Sequence, residues 1–531
     1  VYVQTCAAEK RRRRKRGAFP DPDQRLLINP DVCEGCGDCG VQSNCVSLLP
    51  LETPLGRKRQ IDQSSCNKDF SCVNGFCPSF ATVRGGQLRR PAAQELSIPE
   101  LPTPPPCTLQ GTHNVVVTGV GGTGVVTIGA LLAMAAHLDG KAAGVMEMAG
   151  LAQKGGAVHI HCRIGETPED ISAIRVALGE CDALIGGDLV VSAQGSTLGL
   201  MAPTGGAVVN RHEIITGEFT RDTAFAIPGA DLHLALTARL QERARLLNAT
   251  RLAETALGDT VYANMILLGA AYQQGLLPLT QEALLEAIAL NGAKETQNQQ
   301  AFALGRWAMV EADLDSKFER KEAPVQDPEA ARVAGLRAYG SGRLARYEAI
   351  RSKLQGMEPD LRETALQSYH KLLCYKDEYE VARLLQATRT QVAERFEGDY
   401  EISYHLAPPL LAKKGPDGRP QKRSFGAWFD FASQGLARLR FLRETPLDPF
   451  GYSAERRMER QLIKDFESLV ARMLHAYESA QLGLWRELLS LPLNIRGFGP
   501  VKLANAQAMQ KRRAELLAQL TSSPDTERSA A

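Results

Sequence analysis

The chain has 531 residues, 44% of them hydrophobic, enough for about three domains with sizeable cores. Its 62 basic and 60 acidic residues leave a net charge of +2. That balance argues against a nucleic-acid binder, and no apolar run reaches the length of a membrane span.

Residues 1–30 read as the tail of a preceding unit followed by a loop. Within them Lys10 to Arg16 are seven consecutive basic residues. Such a run is most often a solvated segment; its functional reading is docking of an acidic protein, by electrostatic steering, or of a phosphorylated ligand. Residues 31–90 hold seven cysteines and little that could form an apolar core. Cys33, Cys36 and Cys39 are spaced C-x2-C-x2-C, followed by Cys45, Cys66, Cys72 and then Cys77 with Pro78 behind it. This spacing is that of an iron–sulfur site, where three thiolates from a tight loop are completed by a distant Cys preceding Pro. Disulfides suit short secreted chains, and zinc sites usually arrive as two separated pairs. Thiols of this kind belong in a reducing compartment, so the expected location is cytoplasmic. A bound cluster would organise the segment, making metal binding and folding one event.

Residues 91–110 are a linker carrying Pro91, Pro99, Pro102, Pro104, Pro105 and Pro106. Residues 111–312 alternate strand and helix signals. Strands are expected at Asn114–Val120, Gly144–Met148, Ala157–Ile164, Ala183–Ile185 and Ala207–Asn210. Helices are expected over Thr123–Leu138, Asp231–Glu242, Val261–Gln274, Gln281–Leu290 and Thr296–Glu311. The alternation implies a parallel, doubly wound sheet.

Gly119, Gly121, Gly122 and Gly124 lie between the first strand and first helix, the context of a dinucleotide-binding turn, with Glu147 where a ribose-binding acid would sit. The same glycines could serve only to pack the strand on the helix. His159 and His161 alternate to one face; with no third ligand nearby they read as a hydrogen-bonded pair rather than a metal site. Cys162 and Cys181 read as buried small apolar residues. From about 322 to 531 the spacing is helical, with an amphipathic helix over Met458–Leu488 and a Pro/Gly loop at Leu406–Ser424. The expected fold class is thus multidomain α/β: a small ferredoxin-like iron–sulfur domain, an α/β domain and a mostly helical C-terminal domain.

Taken together, Cys33–Pro78, NVVVTGVGGTGVVTIGALL and GLAQKGGAVHIHCRIG resemble the bacterial fused indolepyruvate ferredoxin oxidoreductases, within the 2-oxoacid:ferredoxin oxidoreductase superfamily. CYKDEYEVARL (374–384), YHLAPPLLAKKG (404–415) and LDPFGYSAERRMERQLI (447–463) resemble the C-terminal helical domain of that form. The resemblance implies an oxidoreductase acting on an oxo group: an arylpyruvate is decarboxylated on thiamine diphosphate with Mg, the acyl group passes to coenzyme A, and electrons leave through [4Fe–4S] to ferredoxin. It makes 111–312 the gamma-type domain and implies a homodimer, with neither nucleic acid nor membrane as partner.

The family's thiamine domain precedes the cysteines, and its Gly-Asp-Gly followed by Asn is not found; Gly187-Asp188 has no third Gly. The chain therefore reads as the C-terminal half, opening at Val1 in mid-pattern, with the basic run at the join to the thiamine domain. By the cross-completion of two-cluster ferredoxins, Cys33, Cys36, Cys39 and Cys77 share one cluster. Cys45 is the alternative fourth ligand. Cys45, Cys66 and Cys72 are otherwise left for a second site, one ligand short of four, to be absent, incomplete, or finished by a non-Cys ligand or another chain. Two rival functions stand beside this one: an NAD(P)-linked iron–sulfur reductase using Gly119–Gly124, and a non-catalytic electron-transfer or assembly subunit.

Overall fold

The computed structural model describes the chain apart from residues 1–9, 12, 15–16, 90–95, 122–123, 150–155, 214–221, 223–224, 312–313, 319–326, 341, 409–414, 416–418, 478–480 and 523–531. It divides into two compact units, one of residues 1–9 and 90–323, the other of 10–89 and 324–531. No described helix is long and apolar enough to cross a membrane.

The first unit is built on a six-stranded sheet. Its order is Ala244–Leu247, Met201–Asn210, Cys181–Gly186, Thr112–Val120, Ala157–Gly165, Ala142–Ala149. Thr112–Val120 is buried on both faces, as its unbroken apolar run requires. Val115 and Val117 enter one core with Ile128, Ile160 and Leu267; Val116 enters the opposite core with Leu184, Val209 and Leu236. The linker residue Pro102 packs onto this unit, its carbonyl accepting from Gln273 Nε2 at 2.9 Å and from Arg306 at 3.2 Å.

The expected all-parallel sheet is corrected to a mixed one. Thr112–Val120 is parallel to Cys181–Gly186 but antiparallel to Ala157–Gly165, which is antiparallel to Ala142–Ala149. The reason is chain length. The connection 150–156 is too short for a crossover, which needs a dozen or more residues, so the chain turns straight back. The returning strand inserts beside Thr112–Val120 and displaces Ala142–Ala149 to the edge.

In the second unit, residues far apart in sequence share one antiparallel sheet, ordered Gln24–Ile28, Phe80–Arg84, Glu401–Leu406, Arg423–Phe425. Alternation along Gln24–Ile28 decides what each face covers. Leu27 enters a core with Ala81, Val83, Leu385, Phe396, Ile402 and Tyr404, whereas Leu26 and Ile28 enter one with Cys33, Cys39, Cys72 and Phe80. The cysteine segment is therefore one layer of a larger body, and the C-terminal region is not purely helical. The helix expected over Met458–Leu488 is two helices, Ala454–Ala476 and Leu482–Ser490, parted by extended backbone at Tyr477.

A buried ion pair ties the helices of this unit. Arg443 donates to both oxygens of Asp377, at 2.5 and 3.0 Å, and stacks 3.8 Å above the Tyr339 ring. Asp377 also caps Glu378–Leu385 by accepting from Glu380 N–H. Asp377→Ala leaves a buried guanidinium unpaired and is expected to cost about 3–5 kcal/mol, read as a lower urea midpoint.

Candidate metal centre

The loop Cys33–Cys39 is shaped by two glycines in the left-handed region, Gly35 at φ 65° and Gly37 at φ 79°. They let the chain reverse between successive cysteines, so that Cys33, Cys36 and Cys39 turn to one side. Asp38 fixes this loop to the later one by accepting from Phe76 N–H at 2.6 Å. Cys77 is thereby brought in: Cys33, Cys36, Cys39 and Cys77 border one small cavity, with Arg59, Phe80 and Ser79 in its wall. Gly75 is required here, because a Cβ on it would lie 2.7 Å from Cys39 Cα.

The sulfurs sit among donors and cations. Gly35 N–H donates to Cys33 Sγ at 3.4 Å, and Ser79 Oγ is 2.7 Å from Cys77 Sγ. Burial pushes the thiols of Cys36, Cys39 and Cys77 up; Cys36 and Cys39 also feel the charge of Cys77 and Cys33. Arg59 and Lys422 pull the other way, at Cys39 and Cys77 respectively. Cys72 forms a second group with Cys45 and Cys66, its thiol pushed up to about 12, first by burial and then by these two neighbours.

Among the described residues no three His, Cys, Asp or Glu side chains converge closely enough to hold a single metal ion. A cubane takes each thiolate on a different iron, so its ligands surround a space instead of meeting at a point. Four thiols around one cavity, backed by N–H donors and cations, fit such a group.

The glycine turn is differently disposed. Gly119 is the penultimate residue of the central strand, and a Cβ there would lie 2.5 Å from Val125 Cγ1; Gly124 adopts φ 89° beside Asn264. Gly122 lies outside the described residues. Gly121 N–H is spent on Gly156 O at 2.7 Å. The fully buried Asp188 carboxylate accepts from Val191 N–H at 2.8 Å and is faced by the N–H groups of Val190 and Val120. Among the described residues of the turn, the N–H groups of Gly121 and Val120 are engaged, and an anion arriving here would face a buried carboxyl group. Glu147 stands on the edge strand, separated from Thr112–Val120 by Ala157–Gly165.

Burial pushes Asp188 up to about 6, against those N–H donors. The folded state thus holds a proton that the unfolded state releases near pH 4, and stability falls as pH rises from about 4 to about 6. Between pH 4 and 7 wild type is expected to lose about 2–3 kcal/mol relative to Asp188→Asn, whose side chain does not titrate. Paired denaturation curves at the two pH values measure it.

His159 hydrogen-bonds Thr197 Oγ1 at 2.9 Å, and His161 Nδ1 accepts from Val176 N–H at 3.1 Å, so both are satisfied within the fold. Cys162 and Cys181 are fully buried.

Residues 114–308 match the pyruvate ferredoxin/flavodoxin oxidoreductase family. The indolepyruvate oxidoreductase subunit IorB of Archaeoglobus fulgidus is 30% identical over 180 residues, covering 83% of that protein and 33% of this chain. This chain belongs to the 2-oxoacid:ferredoxin oxidoreductase family.

A second family relative, IorB of Thermococcus kodakarensis, is 28% identical over 195 residues, 94% of its length and 36% of this chain. The solved gamma subunit of the keto/oxoacid ferredoxin oxidoreductase of Geobacter sulfurreducens is 22% identical, covers 38% of this chain and 98% of its own, and superposes with a TM-score of 0.28. Residues 330–515 match a family of unknown function, DUF6537. The cysteine segment lies outside both matched ranges.

Several residues of the centre in this family member left no signal in the sequence. Lys422 reaches Gly75 O at 2.5 Å and Cys77 O at 3.3 Å because it directly precedes the edge strand Arg423–Phe425. On the far side of the Cys33 loop a cavity of about 680 Å³ is lined by Lys58, Lys371, Lys376, Arg496 and Glu34, among others. Burial alone would raise Glu34; Lys376, at 2.8 Å, and Lys371 hold its carboxyl well below the usual range. Lys376 also donates to Val32 O and Cys33 O, bracing the loop from behind.

Proposed function

We propose that this chain is the electron-transfer part of an indolepyruvate-type 2-oxoacid:ferredoxin oxidoreductase, with a [4Fe–4S] cluster on Cys33, Cys36, Cys39 and Cys77. The observation that carries this is the ring of those four thiols around one cavity. Bound there, the cluster supplies one-electron transfer. The protein's own contribution is to tune and shield it. The N–H of Gly35 and the hydroxyl of Ser79 stabilise sulfur charge, Arg59 and Lys422 offset it, and Ile28, Leu26 and Phe80 keep water away.

The arylpyruvate class is supported by the names of the archaeal relatives and by the resemblance to the fused bacterial form. Decarboxylation on thiamine diphosphate with Mg, and acyl transfer to coenzyme A, are assigned to a thiamine-bearing domain or partner chain that feeds electrons to these cysteines. Ferredoxin is the proposed acceptor, in the cytoplasm, from a homodimeric enzyme. The NAD(P)-linked reading is disfavoured by the engaged N–H of Gly121 and by the buried Asp188 carboxyl group at the turn.

The test follows the visible absorbance of anaerobic protein. Indolepyruvate with coenzyme A is expected to bleach it only when a thiamine-bearing partner is added, and ferredoxin to restore it. Bleaching by NADH or NADPH alone would instead support the nucleotide-linked reading. Zinc in place of iron would end the electron-transfer reading.

A further inference from the structure

The segment Cys66–Cys72 matches Cys33–Cys39 in length and in the conformation of its third and fifth residues. Cys66 corresponds to Cys33, Lys68 to Gly35, Asp69 to Cys36, Phe70 to Gly37 and Cys72 to Cys39. In both loops the third and fifth residues are left-handed: Gly35 and Gly37 in the first, Lys68 at φ 51° and Phe70 at φ 62° in the second. In both, the third residue's N–H donates to the first cysteine's sulfur at 3.4 Å. In both, the sixth residue's N–H reaches the side chain of the fourth: Asp38 to the Cys36 sulfur, Ser71 to Asp69 Oδ1 at 3.4 Å. A short helix starts at the sixth residue each time, Asp38–Ser43 and Ser71–Asn74.

Glycine adopts such conformations at little cost. Lysine and phenylalanine do so rarely, and two of them within seven residues mean that the loop shape is imposed by something other than local preference. The loop is also held from outside. Arg14 donates to Asn67 O at 2.7 Å, and Lys68 pairs with Asp21 at 2.6 Å. Cys45 completes the parallel: it neighbours Cys66 and Cys72 as Cys77 neighbours Cys33, Cys36 and Cys39. Each loop is thus joined by the single later cysteine of the other.

We propose that Cys45, Cys66, Cys72 and the Asp69 carboxylate hold a second [4Fe–4S] cluster, Asp69 standing where the first loop has Cys36. This rests on the iron–sulfur reading of the first site. Ser71 steadies the carboxylate through its N–H and its hydroxyl, the latter 3.2 Å from Oδ1. An oxygen ligand is harder than thiolate, so the iron on Asp69 is held less firmly than the other three. Asp69 is exposed whereas Cys36 is not, which puts the weakly held iron on the solvent side.

The experiment counts iron and acid-labile sulfide in anaerobically purified full-length protein, with EPR after dithionite reduction. Wild type is expected to carry about eight of each and two reduced signals. Asp69→Ala should lose between about one and four iron, all from the second signal. Asp69→Cys should keep the full count and shift only that signal. Cys45→Ala should abolish it. The unaltered first signal in each variant reports that the chain has folded. About four iron in wild type, with one signal, leaves the first site standing and overturns this proposal. A full count and unchanged second signal in Asp69→Ala overturns Asp69 as ligand. No iron in any form overturns the reading on which the proposal rests.

Discussion

Alanine at Cys36 is expected to strip the first cluster from the protein, removing about four iron and four sulfide per chain and the corresponding reduced EPR signal. The thiol sits in the middle of the Cys33–Cys39 loop, and no other described cysteine borders the same cavity beyond Cys33, Cys39 and Cys77. Losing it leaves one iron without a protein ligand inside a layer whose apolar partners are few, chiefly Leu26, Ile28, Leu48, Ile61 and Phe80. Cluster binding and folding of that layer are linked, so the variant should also melt at lower temperature. Cys107→Ala is the matched control: its thiol lies in the other unit, and iron content should not change. Full iron, sulfide and EPR intensity in Cys36→Ala would falsify the ligand assignment.

A chain ending at Ala323 keeps all seven clustered cysteines, yet it is expected to bind no iron. The strand Phe80–Arg84 loses its partner Glu401–Leu406. Leu27, Ala81 and Val83 lose Leu385, Val392, Phe396, Ile402 and Tyr404 from their core. At about 1.5–3 kcal/mol for each large side chain buried, the loss is on the order of 10 kcal/mol, comparable with the whole stability of a domain. Lys422 and Lys376, which hold the backbone on either side of the cysteines, go as well. The unit of residues 90–323 has its own two cores and should survive. Limited proteolysis with iron analysis distinguishes the outcomes: rapid cleavage within 10–89 and a resistant 90–323 fragment are expected. An iron-loaded truncated chain would show that the cysteine segment folds without the C-terminal region.

Local rules carried much of this protein. The spacing of Cys33, Cys36 and Cys39, with glycines between, dictates a loop that turns three thiols one way, because reversal between close neighbours is a property of the seven residues themselves. Cys66–Cys72 has no glycines, and the equivalence of Asp69 to Cys36 depends on left-handed angles that Lys68 and Phe70 do not advertise. The apolar run Val115–Val117 announces a central strand for a similarly local reason, since only a strand covered on both faces buries it.

Long-range pairing was out of reach of those rules. That Cys77, and not Cys45, borders the cavity with Cys33, Cys36 and Cys39 follows from Asp38 gripping Phe76 N–H. The insertion of Ala157–Gly165 into the sheet depends on which neighbour offers the better burial, and hydrophobic pattern is blind to strand order. Lys422 enters the centre from some 345 residues away because Glu401–Leu406 pairs with Phe80–Arg84 and carries the next strand with it. Local conformation follows from the residues in a short window; convergence follows from which buried surfaces find one another, a property of the whole folded chain.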